Sequence, residues 1–169
     1  MNTSPPVLFR ETQYWRSVWW VMVLIFGLAA VQWAIAISHW FGRPVGNNPA
    51  PDWIAYLFFI LFGLGLPLLF LLMRLTVEVL PDRVRVTYWP LTRRDILFGD
   101  ISAAEPITYN SLFEFGGWGI RGLGRRVAYN VRGGRGVELH LRDGRSVVLG
   151  SQQPDALAAA VGQAMGGSR

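Results

Sequence analysis

The stretch WIAYLFFILFGLGLPLLFLLMRLTVEV, Trp53 to Val79, decides how the rest of the chain is read. Trp53 to Met73 is an uncharged apolar run. It is about as long as the 20 or so residues a helix needs to cross a hydrocarbon core of about 30 Å. Arg74 ends it, and Leu75, Val77 and Val79 then alternate with Thr76 and Glu78, the period of a half-buried strand. No linker separates the two patterns. Whatever folds after Arg74 is therefore expected to be held against a membrane face by the helix it continues.

Working back towards the N-terminus, Val18 to Ile37 is a second uncharged run. Aromatic rings collect at its ends, with Trp15, Trp19 and Trp20 at one and Trp33, Trp40 and Phe41 at the other, the two levels of a bilayer that amphipathic rings favour. Spans are expected at about 17–38 and 53–73, with Trp15, Trp19, Trp20, Trp40, Trp53 and Arg74 as interface anchors. A signal peptide is the rival reading, with Ala34-Ile35-Ala36 as its cleavage site, but its apolar core normally runs about 7–15 residues. A retained helix is the expectation. Between the spans, His39 to Asp52 (HWFGRPVGNNPAPD) is too rich in turn residues to continue either helix.

Gly63, Gly65 and Pro67 inside the second span predict close helix packing and a mild kink, with Ala30 and Ala34 as the matching face of the first span. An unwound substrate-binding segment would normally bring a charged residue, and none is present. Arg10 and Arg16 precede the first span, Arg74, Arg83, Arg85, Arg93 and Arg94 follow the second, and only Arg43 lies between. The positive-inside rule then predicts a hairpin in the cytoplasmic membrane with both termini in the cytoplasm. Residues 1–14 are expected to form a loose polar tail at the interface, 15–74 the hairpin and 75–169 a cytoplasmic domain.

Composition agrees with this division. Of 169 residues 51% are hydrophobic and 16% charged, with mean hydropathy +0.29, against about 25% charged residues in ordinary soluble domains. Cysteine is absent, which excludes disulfides, thiolate catalysis and zinc–thiolate sites. The net charge is +5 and every basic residue other than histidine is arginine, a balance that favours anionic surfaces, lipid head groups being the nearest.

Beyond Val79, Pro81-Asp82 predicts a turn into a strand in which Val84, Val86 and Tyr88 alternate with Arg83, Arg85 and Thr87. Pro90 stops that strand. A third strand is expected at Ile96 to Ile101 and a fourth within Pro106 to Phe115. Phe115 to Arg126 (FGGWGIRGLGRR) reads as a loop or short irregular strand, Tyr129 and Val131 as a further strand, and Arg132 to Gly136 as a hairpin turn. In the hairpin Val137 to Leu149 a two-residue Asp-Gly turn would split the apolar set between two faces. A three-residue loop, Arg142-Asp143-Gly144 with Gly144 left-handed, pairs Leu139 with Val147 and Val137 with Leu149 and keeps the set together, so that register is predicted. A closing helix is expected at about 154–165, with Pro154 at its first position, Asp155 at the positive end of its dipole and Leu157, Val161, Ala164 and Met165 on its apolar stripe.

Two membrane helices, about seven short antiparallel strands and a closing helix resemble the bacterial membrane proteins in which a pleckstrin-homology-like (PH-like) domain follows a helical hairpin. The likeness is carried by Leu75-Thr76-Val77-Glu78-Val79 and its hairpin, by Phe115-Gly116-Gly117-Trp118-Gly119-Ile120-Arg121, and by Gly136 to Arg145 (GVELHLRDGR) running on to Leu157. The resemblance implies an α+β or all-β PH-like fold, a partly open barrel or sandwich. It implies no residue-level lipid signature, and fold alone does not assign function.

Candidate chemistry is sparse. Gly117, Gly119 and Gly122 match G-x-G-x-x-G, but a dinucleotide site needs that motif to open a helix after a strand, and Gly124-Arg125-Arg126 is not a helix start. Glycines that let Trp118 fold back on the sheet explain the run better. Arg132-Gly133-Gly134-Arg135-Gly136 is a single RGG segment between strands rather than an RNA-binding repeat, so no nucleic-acid partner is expected. His39 and His140 lie far apart in sequence, His140 on the polar face of a strand with Glu138. No converging metal ligands or catalytic triad can be identified, so neither cofactor, metal nor enzymatic activity is expected.

The arginines form the strongest candidate. Arg121, Arg125, Arg126, Arg132 and Arg135 fall in adjacent loops, and Arg83 and Arg85 share one strand face. These, with Trp118, are the expected lipid or partner contacts, either as a solvated basic rim or as a dock for anionic lipid at about 1 kcal/mol per arginine. The expected role is non-enzymatic protein–protein interaction, assembly or self-association at the membrane through a free sheet edge or the Trp118 loop. The alternatives are an anionic-lipid sensor and, with only Gln32 polar inside the spans, a small enzyme or transporter subunit.

Overall fold

A computed structural model describes residues 6–122 and 124–167. It divides into two compact units: Tyr14–Met73, and a sheet unit that joins the residues up to Gln13 to those from Arg74 onward. Residues 1–5 of the expected tail, Leu123 of the glycine-rich run and residues 168–169 lie outside the described residues.

In the helical unit, α1 spans Trp19–Trp40. The second helix is built of α2 (Asp52–Phe58), a π-helical stretch (Phe59–Gly65) and α3 (Leu66–Leu72). Both helices are long and apolar enough to cross a membrane, and few of their residues are buried. Sequence explains the irregularity. Pro67 has no N–H, so the Gly63 carbonyl four residues earlier loses its helical donor. The indole Nε1–H of Trp33 on α1 supplies one at 3.2 Å, and the Trp33 ring stands edge-on to Phe59 at 4.9 Å.

A Cβ on Gly63 would sit 2.8 Å from the Phe59 ring and 3.4 Å from Gln32 Cβ, so glycine is what allows the approach. The predicted small-residue contact is therefore present, but its face is not Ala30 and Ala34. Those two are exposed, while Ala29 and Ala36 are buried together with Ala55, Gly63 and Pro67. Their spacing, with Gln32 and Trp33 between them, is one helical stripe.

In the sheet unit, strands β1 (Phe9–Tyr14), β2 (Arg74–Val79), β3 (Arg83–Trp89) and β4 (Thr92–Leu97) form one sheet in that order. β1 corrects the expected loose tail. Leu8 N–H donates to the Val79 carbonyl at 2.9 Å, Arg10 pairs with Glu78 at 3.5 Å and Thr12 bonds Thr76 at 3.2 Å, so β1 runs antiparallel to β2. Glu11 accepts from the Ser151 hydroxyl at 2.5 Å and the Gln152 N–H at 2.8 Å, and Gln13 Nε2 donates to the Gly150 carbonyl at 2.9 Å. Polarity that read as solvent exposure is directed into the domain, where Glu11 and the Gln13 amide nitrogen find partners.

The second sheet orders β5 (Ile101–Thr108), β8 (Arg135–Leu141), β9 (Ser146–Gly150), β7 (Arg126–Asn130) and β6 (Gly119–Arg121). The described residues thus hold nine strands rather than about seven. The β8–β9 register pairs Val137 with Leu149 and Leu139 with Val147, and Gly144 has φ +78°, as predicted.

Four further expectations change. The strand expected over Ile96 to Ile101 is divided, with β4 ending at Leu97 and β5 beginning at Ile101. The stretch Pro106 to Phe115, expected to hold a strand, carries the end of β5 to Thr108 and then a short helix, α4 (Ser111–Phe115). β7 pairs parallel with β9, so the sheet is not wholly antiparallel. Residues 132–134 are not a hairpin turn, because β7 and β8 lie on opposite sides of β9.

The core collects the buried faces Leu75, Val77, Val79, Val84, Val86, Tyr88 and Ile96 of one sheet and Val137, Leu139, Val147 and Leu149 of the other. Helix α5 (Pro154–Gly167) buries Leu157, Val161 and Ala164 and packs against β5, β8 and β2. That is the surface its apolar stripe required.

Candidate interaction surface

The structure separates the predicted arginine rim into three groups. Arg83 and Arg85 stand on the outer face of β3, where cross-strand register places Asp95 of β4 opposite Arg85. Arg85 donates to Asp95 through Nε at 2.9 Å and Nη2 at 3.2 Å, and Arg83 reaches both Asp82 and Asp95. The Arg85 and Arg83 guanidiniums hold the Asp95 carboxyl below the usual carboxylate range. These two arginines are occupied.

Arg126 at the start of β7 is occupied more completely. Its Nε and Nη2 make a two-pronged contact to Glu138 on β8, both at 2.9 Å. Its Nη1 reaches Glu114 on α4 at 3.0 Å, and its guanidinium lies 5.0 Å from the Phe115 ring centroid. Burial raises the affinity of the Glu138 carboxyl for a proton, but Arg126, Ser146 and His140 outweigh it and the pKa falls below its ordinary value. Glu138, expected on a solvated face with His140, is buried beneath this clasp. Arg126 ties α4 to the sheet, with its side chain 41% exposed.

Arg121, Arg125, Arg132 and Arg135 are the exposed remainder. Arg135 stands 3.5 Å from Asp155 at the start of α5. Arg121 Nε donates to the Trp118 carbonyl at 3.0 Å, and Trp118 is half-buried. The glycine-rich run forms strand β6, not a helix start, and the Gly119 N–H donates to Oδ1 of the buried Asn130 at 2.9 Å. That arrangement has no phosphate-cradling geometry.

The expected anchors divide as well. Trp19, Trp20, Trp40 and Trp53 are exposed. Trp15 is buried against Phe70, edge-on at 5.3 Å, and its N–H donates to the Met73 carbonyl at 3.2 Å. It is a packing residue. Arg74 is exposed, its guanidinium 6.0 Å from the Trp89 ring centroid.

Sequence reading missed the most exposed apolar surface of the sheet unit. α4 carries Leu112 at 54% and Phe113 at 85% exposure. The helix is fixed at both ends. Asn110 Oδ1 accepts from the Leu112 and Phe113 N–H groups at 3.1 Å, Glu114 Oε1 accepts from the Asn110 N–H at 2.7 Å, and Gly116 closes the helix at φ +70°. Ser111-Leu112-Phe113-Glu114 has the S-x-x-E spacing of a helix-starting box and was the available signal, although the residue that caps the helix is Asn110, one position earlier.

Two concavities bear on chemistry. A cleft of about 650 Å³ in the sheet unit is lined by Pro81, Asp82, Phe98, Gly99 and Arg142. Its one carboxylate is held by Arg83, and Arg142 Nε donates to the Gly99 carbonyl. A cavity of about 380 Å³ in the helical unit is lined by Gln32, Ile35, His39 and Ala55 among others, with His39 Nδ1 2.7 Å from Asp52 Oδ1. Among the described residues no three His, Asp or Glu side chains are grouped to hold a metal ion. No protein-family model, curated protein or solved structure matches the chain.

Proposed function

We propose that the chain is a non-enzymatic, membrane-anchored PH-like module that receives a protein partner, or a second copy of itself, at the cytoplasmic face of the membrane. Pairing of β1 with β2 supports the hairpin arrangement. Strands on either side of the two apolar helices belong to one sheet, so the chain must cross an even number of times. The arginine distribution favours the cytoplasmic side for that sheet.

Phe113 carries the interaction reading. A large ring 85% exposed on a helix capped at both ends is a preorganised apolar anchor, and such anchors dominate binding because little ordering remains to be done. The test puts the photo-crosslinking residue benzoylphenylalanine at position 113 of the full chain in native membranes, with Gln163 on the exposed side of α5 as control. A discrete adduct at 113 alone is expected. No adduct at 113, or unchanged association in Phe113→Ser, overturns the reading.

A second reading, contact with anionic head groups, is favoured by the exposure of Arg121, Arg125 and Arg132. Such contact weakens with salt. In nanodiscs, amide-exchange protection of residues 119–132 would then require anionic lipid and disappear at high salt, whereas a protein interface at α4 would be indifferent to both.

A further inference from the structure

We infer that the β3–β4 turn, Trp89-Pro90-Leu91, is a second point of contact with the bilayer, its side chains seated in the interfacial layer of lipid. The inference rests on the reading of the two apolar helices as membrane spans, but not on any particular tilt of the sheet. α3 ends at Leu72 and β2 begins at Arg74, so Arg74 lies within two residues of the end of a span. The β2–β3 register places Trp89 directly opposite Arg74, and residues facing each other across an antiparallel pair are about 5 Å apart. Trp89 is thereby held close to Arg74, the second residue after the end of α3.

The side chains suit that level. Trp89 is 41% exposed and Leu91 59%, and the turn is tight, with the Leu91 N–H donating to the Tyr88 carbonyl at 2.7 Å. Arg74 sits beside the Trp89 ring, and Arg93, two residues beyond Leu91, has a largely exposed side chain. Further along the same strand face come Thr87 and then the Arg83, Arg85 and Asp95 group. Over most of its length the face grades from an aromatic and aliphatic tip with cations behind it to saturated ion pairs, and Leu97, 47% exposed, lies beyond them opposite Arg83. This is the order in which a bilayer surface presents acyl chain, head group and water. In bulk solvent the same tip would leave a tryptophan and a leucine wet beside one another for no gain.

Because the chain has no cysteine, single substitutions give unique probe sites. Leu64→Cys, Leu91→Cys and Leu97→Cys would each be labelled with an environment-sensitive fluorophore in full-length protein reconstituted into phosphatidylcholine–phosphatidylglycerol nanodiscs. Nitroxide lipids spin-labelled near the head group and deep in the acyl chain serve as quenchers. Leu97 closes the far end of β4, about 20 Å from Leu91 along the strand.

Label 91 is expected to be quenched several-fold by the shallow nitroxide and much less by the deep one. Label 64 should respond to the deep nitroxide, and label 97 to neither. An unquenched label 91 beside a quenched label 64 overturns the inference while leaving the spans intact. Equal quenching at 91 and 97 also overturns it, because the sheet would then lie on its side. An unquenched label 64 overturns the membrane reading itself, and this inference with it.

Discussion

The two sheets of the domain treat their outer faces in opposite ways. In β2 and β3 the inner face is fully buried, while the outer face of β3 and β4 carries Arg83, Arg85 and Asp95, partly open to solvent and paired with one another. In the five-stranded sheet the outer face is covered as well. Tyr109 and Phe115 pack edge-on at 5.7 Å over Ala128 and Val148, and Arg126 clamps Glu138 and Glu114 above them. One sheet therefore spends its charges in water, where ion pairs contribute little, and the other uses a charge cluster to fasten a helix over a second small core.

That difference sets the size of the effects expected from substitution. Val148→Asp places an unpaired carboxylate under α4 and should cost about 3–5 kcal/mol. Thr87→Asp, at an outward position of the first sheet, should stay within about 0.5 kcal/mol. Thermal unfolding of the full chain in micelles, followed by circular dichroism, makes the comparison. Similar losses at both sites would erase it.

Arg126→Leu comes next. It strands Glu138, largely removed from solvent, and should cost about 2 kcal/mol, whereas Arg85→Ala should cost less than about 1 kcal/mol. The same variant sharpens the pH dependence. The Glu138 pKa is lowered on folding from an ordinary 4.5, so the unfolded chain takes up its proton first as pH falls. Its contribution is present in full above about 4.5 and is lost as pH drops through the lower folded value. Glu114, held down by the Asn110 N–H and then by Arg126, acts in the same sense. Midpoint temperature measured below pH 4.5 should therefore fall less steeply in Arg126→Leu than in the parent.

A modest effect is expected at Gly144. An added Cβ meets nothing within 4 Å, so Gly144→Ala should cost only the left-handed backbone penalty, about 1 kcal/mol. A loss well above that would mean that the β8–β9 loop is not the three-residue connection seen here.

The same contrast explains what could be read from sequence. Where one face of a sheet is buried, alternation is clean, and β2 and β3 follow from it residue by residue, while the β8–β9 register follows from the alternation of apolar residues in β8 and the loop at Gly144. Where both faces are buried, as at Val147-Val148-Leu149, alternation disappears and a run of three apolar residues does not reveal its neighbours. The parallel partner β7 and the cover α4 were illegible for that reason. β1 was hidden by the opposite problem, because Glu11 and Gln13 bond to residues 150–152 and their polarity reads as a tail. Of the candidate surface, the outward position of Arg83 and Arg85 was legible. Their acid partners were not, nor was the role of Arg126, since each depends on which strands become neighbours.

The pairing of β1 with β2 also sets a timetable. Every residue of both apolar helices is made after the first strand and before its mate, so the first strand leaves the ribosome with nothing to join. On the proposed membrane reading, the domain cannot close until the return crossing is complete, and a chain that stalls halfway, or inserts with its ends on opposite sides, has no way to finish its first sheet. On that reading, completion of the sheet unit doubles as a proofreading step for insertion.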